Sequence, residues 1–390
     1  MNSRGSLRIV NDLLRVHPEI RHQGLDWLKE PSPDDDIVVS TRVRLARNIQ
    51  GFPFAFNATQ AERASILDQT REVIGGLEMM GRVDLWEMSG LDSRERELLL
   101  ERHLVSRELT MTPEGEVPNS SALALGNLRA LGVMINEEDH FRLHTIRGGR
   151  QLLGAWNDLD QLDEELGVRL PYAFHHEFGF LTSCPTNVGT GLRASVLIHL
   201  PGLVLTKQIH RVLDGMAQLG LTYRGLYGEG SRIVGNLFQV SNQTTLGKTE
   251  EDLIDHLEIL VKRVIGYEKQ ARSVLLREAP NILEDKVWRA YGILSHAHSL
   301  PFEEMMNLLS GVRLGISLKL IKSPSVGVIS EMMIRAQTAH LQSEAGRRLD
   351  EIDADVFRAR YVRDVLRTID ESLEEKGPET GPTGSIAEAT

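Results

Sequence analysis

The stretch Ile37-Val38-Val39-Ser40-Thr41-Arg42-Val43-Arg44-Leu45 decides how the chain is read. Its side chains alternate with period two, the pattern of a β-strand with two unlike faces. Ile37, Val39, Thr41, Val43 and Leu45 share one face and predict a core strand; Val38, Ser40, Arg42 and Arg44 share the other. That second face sets two guanidiniums two residues apart. It is either a half-exposed strand with surface charges or a pair of planar forks suited to phosphate oxygens.

Working outward, shorter strand-like runs occur at 121–125, 132–136, 140–146, 178–183, 193–199, 221–226 and 236–240. Helical patterns cover 7–16, 57–80 with Asn57 or Thr59 as cap, 92–108 with Asp92 as cap, 152–166 and 203–219. Strands joined by short turns favour an antiparallel sheet, so the fold class is α+β. Beyond Thr249 the apolar spacing is helical throughout, over 249–276, 280–295, 301–314, 325–344 and 353–373. The expected organisation is an N-terminal segment 1–36, a mixed unit 37–267, a helical unit 268–375, and a Gly/Pro/Glu/Thr-rich tail 376–390 expected to be disordered.

Composition narrows the function. The 390 residues carry 44 Lys and Arg against 55 Asp and Glu, a net charge of −11, which argues against a general nucleic-acid binder. No apolar run approaches the roughly 18 residues that span a bilayer, and no secretory signal is evident. The single Cys184 permits no intramolecular disulfide and fits a reducing cytoplasm. Only 9 of the 44 basic residues are lysine, and between Lys29 and Lys207 every Lys/Arg position is arginine. That is either lineage bias or a site built from guanidinium forks.

Three further segments add chemistry. I-N-E-E-D-H-F-R (135–142) sets three acids beside His140 and Arg142; it is a solvated turn or a carboxylate base held by a cation. L-T-S-C-P-T-N-V-G-T-G-L-R-A-S (181–195) joins Cys184, a Gly-rich turn and Arg193; in an Arg-rich pocket Cys184 would be partly ionised. Y-R-G-L-Y-G-E-G-S (223–231) carries Arg224 and a glycine-flanked Glu229, a polar hairpin or a loop closing over substrate. Gly247-Lys248-Thr249 lacks the earlier glycine of a P-loop, Asn242 standing there, and reads as a helix start. His175-His176-Glu177 reads as a turn rather than a metal site. Together the arginines and acids look like phosphoryl transfer to a cationic nucleophile.

The set S-T-R-V-R-L-A-R-N, N-E-E-D-H-x-R, C-P-T-N-V-G-T-G-L-R-A-S and R-G-L-Y-G-E-G-S resembles the phosphagen (guanidino) kinase family, in its bacterial, McsB-type protein-arginine kinase branch. The E-R-H-L run (101–104), G-N-L-F-Q-V-S-N-Q-T-T-L-G-K (235–248) and the short segment before the first strand point to that branch. The resemblance spans about residues 25–345. It implies that ATP is bound by Ser40, Thr41, Arg42, Val43, Arg44, His103, Arg142, Arg193, Ala194, Ser195, Val196, Leu197, Arg224, Gly225, Leu226, Tyr227, Gly228 and Glu229. Glu138 and Glu229 would hold the target guanidinium, Glu138 acting as base, with Cys184 beside it. Mg²⁺ would be held mainly by the phosphates, with no protein metal ligand. Proteins with exposed arginines would be the substrates. A Clp-type protease, a zinc-finger activator and a second copy of the chain would be partners, the dimer forming through the helical unit.

One departure stands out. The branch carries an R-D-x-x-R-A phosphoarginine-reading motif, and here the aligned run is A-D-V-F-R-A (354–359). Asp355 and Arg358 remain, but Ala354 replaces the first arginine, which weakens the expectation of phosphoarginine regulation. The alternatives are a free-arginine kinase, against which the short N-terminal segment counts, and a catalytically idle Clp adaptor.

Overall fold

A computed structural model describes residues 7–9, 20, 24–28, 31–55, 57–111, 115–117, 119–127, 130–226 and 233–376, with backbone alone for 7–9 and 372–376. The strands are β1 Leu7–Ile9, β2 Val38–Arg47, β3 Val83–Glu87, β4 Ala122–Gly126, β5 Leu131–Ile135, β6 Phe141–Gly148, β7 Phe174–His175, β8 Gly179–Phe180, β9 Leu192–His199, β10 Leu221–Arg224 and β11 Leu237–Asn242. The helices are α1 Gln60–Ile74, α2 Ser93–Glu101, α3 Arg107–Thr110, α4 Leu152–Arg169, α5 Pro201–Leu205, α6 Ile209–Gln218, α7 Glu250–Glu278, α8 Pro280–His296, α9 Phe302–Ser317, α10 Val326–Arg335, α11 Thr338–Ala345 and α12 Glu351–Lys376.

Nine strands form one sheet in the order β1-β3-β4-β5-β6-β2-β9-β11-β10. Every neighbouring pair is antiparallel except β1 with β3. The strand that opened the sequence reading, β2, lies near the centre, between β6 and β9. One sheet face, with Val43, Leu45, Leu143, Ala194, Val196 and Val240, packs under α1, α4, α6 and α7 as the largest apolar core. The other face is apolar only at its ends. At one end Leu197, Leu237 and Ile146 pack on α8, α9, α10 and α12. At the other, Trp86, Leu123, Leu125 and Met134 pack on α2 and α3. Between these ends lies the polar ground of the candidate site.

The caps fix where several helices begin. Thr59, Asp92 and Thr249 each accept from the backbone N–H three residues on, and Glu62, Glu95 and Asp252 reciprocate. Thr249 thus starts α7, as the helix-start reading of Gly247-Lys248-Thr249 expects. The boundary expected at 267/268 falls inside α7, so the sheet unit and the helical unit share that helix. A second tie is polar: Arg313 on α9 donates to the carbonyls of Asp35 and Asp36, just ahead of β2.

Several expectations are corrected. Leu7–Ile9 is a strand on the edge of β3, not the start of a helix over 7–16; the rest of that run lies outside the described residues, as does 377–390 of the tail. The strict alternation at 37–45 is broken by a bulge: Val38 pairs with Ile198 and Ser40 with the adjacent Leu197. The extra residue sends Val39 to the helical unit's core while Ile37 and Val38 join the main core. The helix expected over 57–80 ends at Ile74, before Gly75-Gly76. The one over 92–108 breaks at His103, whose φ is +62°, and the one over 203–219 breaks at Lys207, at +59°. The helix expected over 325–344 divides into α10 and α11, and the strand expected over 178–183 shrinks to β8.

Arg47, the last residue of β2, is 1% exposed and clamps three parts of the sheet unit. It donates to both carboxylate oxygens of Asp163 on α4, at 2.7–3.1 Å, and to the carbonyls of Ala46 and Thr190. Its guanidinium also lies 3.5 Å from the centre of the Phe180 ring. Replacing Arg47 by Met leaves Asp163 unpaired and is expected to cost about 3–5 kcal/mol of stability in urea unfolding. Adding Asp163→Leu is expected to recover most of that loss.

Candidate active site

The antiparallel register gathers the site. Arg44 lies opposite Arg193 on β9 and His144 on β6; Arg42 lies opposite Ser195; Arg142 lies two residues before His144. Since alternate residues share a face, Ser40, Arg42, Arg44, Arg142, His144, Arg193, Ser195 and, across β11, Arg224 occupy one side of the sheet. Ser195 Oγ donates to the Arg42 carbonyl at 3.3 Å, and Arg193 donates to Ser241 Oγ at 3.4 Å.

The electrostatics are those of an anion site. Burial, then Arg142, pushes Arg42 down to about 10. Burial, then Arg42, Arg142 and Arg193, holds Arg44 well below the usual arginine range. Nε and Nη2 of Arg42 and Nε of Arg44 are buried and have no partner among the described residues. Buried donors are ordinarily satisfied, so these await an acceptor, and phosphate oxygens suit planar forks. His103, in its left-handed turn after α2, is pushed down to about 3 by burial and by Arg42 and Arg44. His144 is wholly buried, and burial and the same two cations keep it neutral against the opposing pull of the Arg142 backbone. It fits only because position 132 is glycine, where a Cβ would stand 2.4 Å from the imidazole.

Arg142 is bonded directly to two carboxylates. It donates to Glu137 at 2.7 Å and to Glu138 at 2.8 Å; the Glu137 side chain is 0% exposed and that of Glu138 is 41%. Burial works against the Arg142 charge, but Glu137, Glu138 and Asp139 outweigh it and raise its pKa. Glu138 is itself raised, by burial and by Glu137 and Asp139 against the pull of Arg142. Glu137 therefore anchors Arg142, while Glu138 keeps a face open to an incoming cation.

Asp139 ties this acidic loop to the Cys184 segment. Its Oδ1 accepts from Asn48 Nδ2 and from Ser183 N, both at 2.7 Å. Asn48 Nδ2 also donates to the Leu181 carbonyl, and its Oδ1 accepts from His140 N. His140 Nε2 donates to the Pro53 carbonyl while Nδ1 accepts from Ile49 N, which fixes its tautomer. Cys184 is half-buried, with Sγ 3.0 Å from Thr186 Oγ1. The turn that follows lies flush on Thr245: a Cβ on Gly189, at φ +112°, would stand 2.3 Å from the Thr245 carbonyl oxygen.

Of the residues singled out in the sequence, Thr41, Val43, Ala194 and Val196 point to the opposite sheet face and serve the site by spacing. Leu197 and Leu226 pack into the helical unit's core, and Gly225 directly precedes Leu226. Tyr227, Gly228 and Glu229 lie outside the described residues. Asp355 and Arg358 sit apart, in α12. Arg358 is 2% exposed and donates to Asp355 and to the carbonyls of Ala336 and Leu300, while Ala354 lies in a small apolar cluster with Leu341 and Leu349. Among the described residues no three His, Cys, Asp or Glu converge to hold a metal ion. Sequence reasoning did not give roles to Asn48, Glu137, Asp139 and His144. Asn48 closes the S-T-R-V-R-L-A-R-N motif, which was the available signal. Glu137 differs from Glu138 only through the turn at Asn136, at φ +55°.

The chain as a whole is similar to known proteins. Residues 65–271 match the family described as ATP:guanido phosphotransferase, C-terminal catalytic domain. The chain belongs to the ATP:guanido phosphotransferase family. Within it, residues 280–377 match the protein-arginine kinase McsB C-terminal domain. The protein-arginine kinase of Desulforamulus reducens is 42% identical over 346 residues, which are 88% of this chain and 96% of that protein. That of Bacillus subtilis is 42% identical over 342 residues, 87% of this chain and 93% of the relative. Among solved structures, lombricine kinase superposes with a TM-score of 0.55 at 25% identity, covering 64% of this guanido phosphotransferase and 71% of that chain. A duplicated taurocyamine kinase from Schistosoma mansoni with transition-state analogue components gives 0.56 at 26% identity, covering 71% and 40%.

Two outcomes test the electrostatics of this guanido phosphotransferase. Arg44→Met removes an unpaired buried charge, so the ligand-free protein is expected to melt higher while ATP-induced stabilisation disappears. The second concerns pH. His144, whose folded pKa lies far below its ordinary 6.5, takes up a proton on unfolding, so stability falls as pH drops below about 6.5. Glu101, pushed up to about 7 chiefly by burial, acts in the opposite sense. The comparison is therefore with His144→Gln, whose melting temperature is expected to fall less between pH 7 and pH 5.

Proposed function

We propose that this chain transfers the γ-phosphoryl group of ATP to the guanidinium of arginine side chains in proteins. The observation that carries the reading is the set of buried, unpartnered Arg42 and Arg44 donors on the same sheet face as the Glu137-Glu138-Arg142 cluster. One half of that arrangement suits polyphosphate and the other suits a guanidinium. The family membership and the similarity to protein-arginine kinases over most of the chain support the same acceptor.

The chemistry follows from charge. A guanidinium is protonated at neutral pH and is a poor nucleophile. Glu138, with a raised pKa and an open face, aligns it and accepts a proton as the N–P bond forms and the bond to the ADP leaving oxygen breaks. Glu229 is proposed as the second carboxylate on the guanidinium, with Cys184 beside it. Arg42, Arg44 and Arg193 hold the phosphates in line, Arg142 is steered by Glu137, and Arg224 and His103 border the nucleotide. Mg²⁺, held mainly by the phosphates, would supply charge neutralisation there. Neutral His103 beside Arg42 and Arg44 adds no charge to the pocket, which leaves the arginines to set its potential.

From the resemblance we further infer cytoplasmic action, hand-over of marked proteins to a Clp-type protease, a zinc-finger activator, and a homodimer built through the helical unit. No helix of the described residues is long and apolar enough to cross a membrane. Exposed Ile282, Trp288, Ile293, Ile352 and Val356 on α8 and α12 support an interface in the helical unit.

Incubation with ATP-Mg²⁺ and either casein or free arginine, followed by measurement of acid-labile phosphate, tests the reading. Label is expected on the protein. Glu138→Gln is expected to lower turnover at least about a hundredfold with ATP affinity near wild type. Transfer to free arginine alone would make the chain a small-molecule kinase.

A further inference from the structure

The β7–β8 hairpin is an aromatic projection that the phosphoryl-transfer chemistry does not use. Phe174 is 59% exposed and Phe178 50%. Neither is loosely mounted. Phe174 meets the Phe180 ring edge-on at 5.3 Å, Phe180 meets Tyr172 edge-on at 5.9 Å, and Phe180 also covers Arg47. Phe178 stacks on His175 at 4.9 Å, and Glu177 N donates to His175 Nδ1. The exposed rings thus stand on the clamp at the end of β2. An aromatic surface already held in place loses little freedom when a partner lands on it.

The hairpin is also continuous with the acceptor side of the site. Leu181 N donates to the Ala173 carbonyl, closing the hairpin stem. The Leu181 carbonyl accepts from Asn48, and two residues on, Ser183 N donates to Asp139 beside Glu138. Successive Cα atoms are 3.8 Å apart, so the Cα of Cys184 lies no more than about 23 Å from that of Phe178. An extended polypeptide covers that distance in about seven residues. The surroundings carry negative charge: Glu177 at the hairpin tip has a side chain 64% exposed, and Glu250 lies in the field of Arg47 and Asp163. Leu246, 55% exposed, abuts Gly189 of the turn after Cys184 and widens the apolar ground. Apolar rings with acids near them match a cationic, apolar-flanked segment.

We propose that the β7–β8 hairpin, through Phe174 and Phe178, docks apolar side chains within about seven residues of the target arginine in an extended protein substrate. This rests on the protein-arginine reading above and names the substrate class it favours: arginines in unfolded, apolar-flanked stretches, where a folded protein offers no such side chains. It also gives the His175-His176-Glu177 turn a role as the frame for Phe178.

The test compares two synthetic peptides, each with one arginine, bearing either Leu and Phe or only Gly at the flanking positions. Burying one such side chain changes kcat/KM about tenfold, so wild type is expected to prefer the apolar peptide by about that factor, and Phe174→Ser with Phe178→Ser to reduce the preference below about threefold. Phe174→Leu with Phe178→Leu is expected to retain it, which separates docking from a loss of fold. Equal use of both peptides by wild type overturns the docking proposal and leaves the protein-arginine reading standing. A preference that survives the Ser variant, or a Ser variant whose only change is a lost dimer in light scattering, also overturns it. Failure on both peptides with transfer to free arginine overturns the reading itself.

Discussion

Five guanidiniums, those of Arg42, Arg44, Arg142, Arg193 and Arg224, share one face of a sheet, and Arg42 and Arg44 lie in the field of Arg142 with buried donors that have no partner among the described residues. That repulsion is the constraint around which the molecule is arranged. Arg44 is depressed first by burial and then by Arg42, Arg142 and Arg193. A sheet face with such a charge density holds only if the opposite face and both ends are packed, and this is where the apolar mass lies. Arg47 shows the contrast within one strand. It turns to the other side of β2, meets Asp163, two carbonyls and a phenyl ring, and becomes structural. The same residue type three positions away, Arg44, keeps a buried Nε with no partner among the described residues.

Much of this was legible in the sequence because β2 is amphipathic in an unusual sense, with aliphatics on one face and arginines on the other. Period two placed Arg42 and Arg44 together correctly, since no bulge intervenes between them. It failed at Val39, where two residues of β2 oppose one of β9. Bulges are set by the partner strand and leave no mark on the strand's own alternation. Hydrophobic spacing likewise carried the helices across His103 and Lys207, because residues on both sides keep helical order while one residue takes a left-handed backbone. Strand β3 was missed because Val-Asp-Leu-Trp-Glu is short and buried on both faces, so its Asp84 and Trp86 give no clean contrast with Val83 and Leu85.

The site was legible as a list of charges but not as a division of labour. Glu137, Glu138 and Asp139 are equivalent in sequence. The turn at Asn136, whose side chain donates to the carbonyls of Arg63 and Ser120, gives them three different environments. One is buried on Arg142, one is shared and open, and one reaches across to Ser183. The helical unit adds a similar case. Glu101 caps α11 through the N–H groups of Ala339 and His340, two residues from the His103 beside the arginines. A helix end in one unit is thereby completed by a carboxylate from the other, which no local pattern could reveal.

The contact of Gly132 with His144 makes these two positions a single heritable unit. A side chain at 132 is excluded while an imidazole occupies 144, the missing Cβ having no more than 2.4 Å of clearance. The reverse does not hold: a smaller residue at 144 leaves a gap that position 132 is free to fill. Substitutions here are therefore ordered in time, with 144 changing first and 132 second, and the opposite order passes through an overpacked intermediate. Drift in this part of the floor beneath Arg44 has a direction, and the glycine at 132 records that the histidine is still in place.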